Sequence, residues 1–433
     1  MTEIDLEQDD GHPLDGVHPQ NGVHPLDGDD ELVVEPEESQ SLVRTRVGLI
    51  AAAIGLLLTL CACSCGALTT FGLSSTNLSS KLIGAEFLTI ASLVGQFGLA
   101  LIAGGVVIWR GWFSSVFHPR RTWPMWIVFI LLVSLGWLLS LVGVEVYLSA
   151  RVINGLTMLI MPLLVLMVVG RSLRGTGGTW RDVIGGLVGG GVVGTVLALA
   201  TEAGLAVTAW IAVSTLDVLP GGLDPLTGIL DEFRGPESLL DPQTLQQLMN
   251  PLILTVALAG VALVAPMVEE ISKTLAVGVF GRWLRPTPAR AFMLGVASGA
   301  GFAVAENLLN SSLVSSYGIL AVLSRLAAST MHCAVSGLVG WGWGEFWRER
   351  RFKPLILALA GATGLHGLWN GMAFGVAVSG LLAAANESID IGVLAGSGLM
   401  MLVFGLILLV LVILAPVGML LASRALARNE EMG

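Results

Sequence analysis

From Val47 onward the chain alternates long apolar runs with short polar breaks, and the alternation continues almost to the C-terminus. A helix rises 1.5 Å per residue, so about 20 apolar residues cross a hydrocarbon core about 30 Å thick. Ten runs reach that length, near 47–66, 86–109, 125–149, 152–170, 183–215, 251–280, 291–313, 319–346, 355–380 and 391–422. Only a couple of residues separate the third from the fourth. The fifth, sixth and tenth exceed a minimal span, a surplus that tilt or an interfacial extension absorbs. The expected fold is therefore all-α, a polytopic transmembrane helix bundle of about ten spans.

The segment ahead of the first run has a different texture. It reads GHPLDGVHPQNGVHPLDGDDELVVEPEESQ and contains a hexapeptide repeat, HPLDGV, HPQNGV and HPLDGD. With Pro and Gly every few residues and few large apolar groups, it cannot bury enough surface to offset its ordering entropy, so a disordered acidic tail is expected over 1–42. His12, His18 and His24, beside Asp15 and Asp27, offer loose metal ligands, but a repeat-expanded spacer is the simpler reading.

Composition agrees with the pattern. The 433 residues are 54% hydrophobic and 12% charged, with a mean hydropathy of +0.81; soluble proteins carry about 25% charged residues, which excludes a soluble enzyme of ordinary build. The formal charge of −10 belongs to the tail, since residues 1–40 hold 13 Asp or Glu and no Lys or Arg. That leaves 19 acidic against 22 basic residues elsewhere, or +3. No basic stripe is present to displace counterions, so no nucleic-acid partner is expected and the lipid bilayer is the medium.

Basic residues in short loops set the orientation. With the N-terminus in the cytoplasm, 17 of the 22 fall inside, Lys81, Arg151 and Arg234 fall outside, and Lys273 and Arg325 lie within spans. Ten spans with both termini cytoplasmic satisfy this asymmetry. The excess of Arg over Lys, with abundant Gly and Ala, points to a bacterial plasma membrane. An acidic, Pro-rich outer loop is expected near 216–250. Cys61, Cys63, Cys65 and Cys333 read as packing residues, and the glycines Gly185, Gly186, Gly189, Gly190 and Gly194 as small-residue steps that let helices approach closely.

Polar groups inside spans are costly, and a functional site is the default hypothesis for them. The sixth run carries Glu269, Glu270 and Lys273, the seventh Glu306 and Asn307, the eighth Arg325 and His332, and the ninth His366 and Asn370. Glu145 and Glu202, by contrast, fall near outer helix ends, where water can reach them. Counted from the nearest basic stop, Glu269 and Glu270 lie roughly 18 to 20 Å deep, Glu306 and His332 roughly 24 Å and His366 roughly 20 Å. One thin layer at or just beyond the midplane thus contains all five. The spacing from Glu269 to Lys273 is i,i+4, as is that from His366 to Asn370, while Arg325 and His332 are two turns apart, so each helix presents a polar stripe. Adjacent carboxylates in a low-dielectric layer suit a general acid or base. Glu306, His332 and His366 make a two-His, one-carboxylate set for zinc, with Glu269 or Glu270 left to activate water.

The sequence EEISK fits an EExxK motif, FAVAEN fits FxxxEN, RLAASTMH supplies an Arg and a His seven apart, and HGLWN fits HxxxN. Four motifs in order on consecutive spans resemble the PrsW family of intramembrane proteases, within the wider superfamily of CAAX-processing and bacteriocin-processing membrane proteases. The resemblance covers roughly residues 255–380. It implies hydrolysis of a peptide bond of a membrane-protein substrate, in the best-known members an anti-sigma factor. It implies that Glu269 activates water, that Glu270 and Lys273 fix its charge state, and that His366 and Asn370 stabilise the oxyanion. The CAAX branch carries His where this chain has Glu306, so whether Glu306 shares the water or binds zinc stays open, as does the choice between metallo and glutamate mechanisms. The division expected from all this is a tail over 1–42, N-terminal spans and the acidic outer loop over 43–250, PrsW-like catalytic helices over 251–385, and a last span with a short tail over 386–433. The competing readings are a transporter or proton relay, a non-catalytic relative that binds membrane partners, and a buried polar network that only holds the bundle together.

Overall fold

The computed structural model describes residues 37–73, 78–142, 148–216, 249–384 and 391–432. The tail repeat with its three histidines, Glu145 and nearly all of the acidic outer loop lie outside the described residues. Among those described, every regular element is a helix, and β pairing is confined to a single bridge between Val116 and Thr179. The helices are α1 (Glu37–Leu73), α2 (Leu78–Arg110), α3 (Trp123–Leu141), α4 (Leu148–Ser172), α5 (Trp180–Val188), α6 (Thr195–Leu216), α7 (Pro251–Ala259), α8 (Ala265–Leu284), α9 (Pro288–Leu309), α10 (Ser311–Glu349), α11 (Phe352–Ala384) and α12 (Ile391–Met432). Short π-helical turns, Gly189–Gly194 and Gly260–Val264, join α5 to α6 and α7 to α8.

Eight helical segments among the described residues are long and apolar enough to cross a membrane, and each coincides with one of the expected runs. The other two runs fall on the shorter apolar helices Val94–Arg110 and Trp123–Leu139. The protein is an integral membrane protein. Boundaries shift where local chemistry decides them. α1 already begins at Glu37, directly after Pro36, inside the stretch assigned to the tail, because no proline or glycine interrupts the residues between Pro36 and the first apolar run at Val47. The seventh run ends at Leu309 rather than 313, where Asn310 closes α9 and the next helix starts at Ser311.

The turns that pin the bundle are short and specific. Thr287 caps α9 through the Arg290 amide, with Pro288 at the first helical position, where its missing N–H costs nothing. Thr179 and Asp182 form a reciprocal capping box at α5. Arg285 and Arg350, at φ 36° and 57°, close α8 and α10 in the left-handed conformation.

The central element is α9, in which residues 291–303 are all buried. Lipid supplies no hydrophobic drive between helices, so close approach through small side chains has to hold them together. On α9 those are Ala, Gly and Ser, facing α10 on one side and α5 with its π turn on the other. At Gly299 an added Cβ would run into the carbonyl of His332, so this glycine sets how near α9 lies to the helix that carries that histidine. The expected glycine stripe of α5 packs in the same way, with Gly186 against Ala297 and Gly190 against Ser298, and Gly194 reaches the backbone of Lys273 on α8. Cys333 is buried in the largest apolar cluster, together with Phe292, Met293 and Val296.

Candidate active site

Four helices, α8 to α11, bring the polar stripes onto one buried point. On α8, Lys273 follows Glu269 by four residues and Glu270 by three, so it faces both carboxylates one turn back. Lys273 is fully buried, and its Nζ lies 2.8 Å from Glu270 Oε1, 2.9 Å from Glu269 Oε2 and 2.8 Å from His332 Nδ1. The ammonium also sits 4.2 Å from the centre of the Phe302 ring on α9. The Lys273 carbonyl accepts the Ser298 hydroxyl, which ties α8 to α9.

The two carboxylates of the pair are not equivalent. Glu270 is enclosed, with Oε1 also 2.9 Å from His366 Nδ1 and Oε2 accepting Ser336 Oγ at 3.4 Å. Glu269 retains 14% of its side-chain surface. Its Oε2 is close to Lys273, but at an angle that makes no hydrogen bond, and it lies 3.8 Å from His366 Nε2.

The histidines come from α10 and α11, and their rings meet edge to face with centroids 4.9 Å apart. His366 Nδ1 faces the Glu270 carboxylate, so it carries the proton and Nε2 keeps its lone pair. His332 Nε2 lies 2.8 Å from Glu306 Oε2. Arg325 donates from Nη1 to Glu306 Oε1 at 3.0 Å and from Nε to Asn307 Oδ1 at 2.8 Å, and its Nη2 is 2.8 Å from Glu306 Oε2. Asn307 in turn donates to the Met158 carbonyl of α4 and to Ser329 Oγ, each at 3.0 Å. Glu306 Oε2, although at contact distance from two cationic or ring nitrogens, is in line with neither N–H.

Eight of the nine residues singled out in the sequence are linked by contacts, Asn370 is not, and the grouping of the eight differs from the expected one. One ligand atom from each of Glu269, His332 and His366 lies within 4.8 Å of the others, forming a possible Glu/His/His metal site. Glu269 replaces Glu306 in that trio, because Arg325 holds Glu306 on the far side of the His332 ring. Asn370 stands slightly apart, donating from Nδ2 to the Val261 carbonyl in the π turn ahead of α8 at 3.2 Å. Glu202 of α6 corrects the expectation of a solvated outer position. Its Oε1 is buried without a hydrogen bond, and its charge interacts with those of Glu269, Lys273, Glu306 and His366. Sequence spacing gave no signal for it, since it is the packing of α6 directly against α8 that brings Glu202 toward the site.

Residues 236–415 match the family model described as PrsW family intramembrane metalloprotease. That segment, less than half of the chain, is similar to the PrsW family. All nine residues fall within that segment, and so do the whole of α7 to α11; Glu202, by contrast, lies outside it. No curated protein and no solved structure matches the chain. The family match and the Glu/His/His group both support an intramembrane protease.

Proposed function

We propose that the chain is an intramembrane endopeptidase that hydrolyses a peptide bond of a single-span membrane protein, with Glu269 as the base that takes a proton from the attacking water. The observation that carries this reading is the division of labour within the acid pair. Glu270 is enclosed and its oxygens are committed to Lys273, His366 and Ser336, whereas Glu269 is partly accessible while its Oε2 pairs with Lys273 at 2.9 Å. A carboxylate that keeps some access suits proton transfer to and from water.

The residues fit a zinc ion. Two imidazoles and a carboxylate are a common donor set for that metal, and one ligand atom of each lies within 4.8 Å of the others. Glu269, His332 and His366 would hold it, with Glu270 and Glu306 behind the two rings as the carboxylates that fix their orientation. When bound, zinc would polarise the scissile carbonyl and make water more acidic.

The remaining chemistry belongs to the chain. Lys273 pairs with Glu270, whose Oε1 faces His366 Nδ1 and holds that ring in one tautomer. Arg325 pairs with Glu306 beside His332 in the same way. Asn370 spends one of its two amide hydrogens on Val261 and has the other for the oxyanion that forms when water adds to the carbonyl. In this reading residues 251–385 form the catalytic unit, and the protein sits in a bacterial plasma membrane with both termini cytoplasmic.

The test is the purified protein incubated with a panel of single-span substrates, with and without a chelator. Cleavage by the native chain and its loss in Glu269→Gln support the reading. Turnover retained in both Glu269→Gln and Glu270→Gln would overturn it.

A further inference from the structure

Glu202 approaches the acid pair from α6, and the chemistry above gives it no task. Its helix runs beside α9 in the same direction. Gly190 meets Ser298, Gly191 meets Gly301, and Ala198 shares one apolar cluster with Phe302 and with Val268 of α8. Residues four apart share a helix face. One turn beyond Ala198 is Glu202, one turn beyond Phe302 is Glu306, and the residue after Val268 is Glu269. The three carboxyl groups border one space, where the charge of Glu202 interacts with those of Glu269, Glu306, Lys273 and His366. Glu202 Oε1 is buried and has no hydrogen-bond partner among the described residues. The nearby nitrogens are already engaged, with Lys273 Nζ against Glu269, Glu270 and His332, and His366 Nδ1 turned to Glu270. Glu202 also lies outside residues 236–415, so the family match assigns it nothing.

We propose that Glu202 is a substrate-binding residue, whose Oε1 accepts a backbone N–H of the unwound substrate segment beside the scissile bond. This inference rests on the peptidase reading and deepens it. A buried acceptor without a donor is costly, and so is an N–H released from a helix where no water replaces its carbonyl. Bringing the two together removes both costs at the point where the substrate has to open. A basic side chain would also satisfy the acceptor, but Lys and Arg are rare in transmembrane spans, whereas every unwound segment has N–H groups to offer. α8 supplies Glu269 and α6 supplies Glu202, so a substrate chain held by Glu202 lies against the acid that activates water.

The experiment uses the full chain in detergent with single-span peptides labelled to report cleavage. In one series Glu202 is replaced. In the other, the backbone amides on either side of the cut are changed to esters one at a time, which removes a single N–H each time. Glu202→Leu should unfold at or above the native midpoint yet lower kcat/KM about tenfold or more, the loss of one hydrogen bond to a carboxyl oxygen. Glu202→Gln should lose less, since its amide oxygen accepts the same N–H. One ester should cost the native enzyme about tenfold and cost Glu202→Leu nothing further, a coupling that a purely structural role of Glu202 would not produce. Equal losses in Glu202→Gln and Glu202→Leu would assign the residue to a charge or proton-transfer role and overturn the proposal. Native kcat/KM in Glu202→Leu would overturn it too. So would an ester series in which no position near the cut affects the native enzyme, even if Glu202→Leu does not fold. A native chain that cuts none of the peptides would instead overturn the peptidase reading, and this inference with it.

Discussion

Lys273 Nζ lies 2.8 Å from His332 Nδ1, and an ammonium has no lone pair to offer, so the imidazole must be the acceptor. His332 therefore carries its proton on Nε2, the nitrogen that approaches Glu306. One lysine thus sets the tautomer of a histidine 59 residues away and pairs with both carboxylates on its own helix. The same ammonium stands on the nitrogen through which His332 would meet a metal, so metal binding and the lysine contact compete.

The acid pair gives the first prediction. Glu269→Gln should lower proteolysis by orders of magnitude while the protein still inserts, purifies and unfolds near the native midpoint. Glu270→Gln should abolish activity and also destabilise, by about 3 to 5 kcal/mol, because Lys273 is left buried without its closest carboxylate. Thermal unfolding beside substrate cleavage separates the two effects, and equal stability of the variants would contradict the assigned roles.

Metal content provides the second. The purified chain should carry about one zinc, lose activity to chelators and recover it on zinc addition. Glu269→Ala, His332→Ala and His366→Ala should each lower the metal content, and Glu306→Ala should lower it less. Elemental analysis of the four variants decides between the trio brought together in the fold and the one containing Glu306. An active, metal-free, chelator-insensitive enzyme would point to carboxylates alone.

Arg325 supplies the third. It holds Glu306 and Asn307 from adjacent sides, and a lysine cannot reproduce a fork that grips both. Arg325→Lys should retain insertion but lower kcat, and Arg325→Ala should cost about 3 to 5 kcal/mol in stability as well. An Arg325→Lys enzyme with native kcat would reduce this network to a packing element.

Much of the bundle and nearly all of the site were legible in the sequence because lipid makes polar residues conspicuous. Glu269, Glu306, His332 and His366 stand out in apolar runs, and counting 1.5 Å per residue placed them in one layer, which the 4.9 Å contact of the histidine rings agrees with. What could not be read was which oxygen faces which nitrogen. Glu269 and Glu306 are equivalent by depth, and only the side from which Arg325 arrives separates them. Glu202 was misjudged for the same reason, since depth along a helix says nothing of the direction it faces.

The fourth prediction concerns the substrate. The catalytic layer lies roughly 18 to 24 Å from the basic boundary of a core about 30 Å thick. A substrate helix must unwind before its carbonyls can react, and it does so most readily near the far end of its span. Mass spectrometry should therefore find scissile bonds in the outer half of the substrate span or a few residues beyond. Bonds clustered on the basic side would mean an inverted topology or a different active site, and cysteine labelling of the loops near Lys81 and Arg285 would tell these apart.

The π turn at Gly260–Val264 bears on how this span tolerates insertion and deletion. A π turn accommodates one residue more than the α-helical ladder needs. Removing a single residue there would let the ladder close as an ordinary helix, with α7 and the helix that carries Glu269 both keeping their faces, whereas the same deletion in a regular stretch would turn α7 by about 100° about its axis. One residue between Gly260 and Val264 can thus be lost without re-aiming either the lipid-facing half or the acid-bearing half of this span.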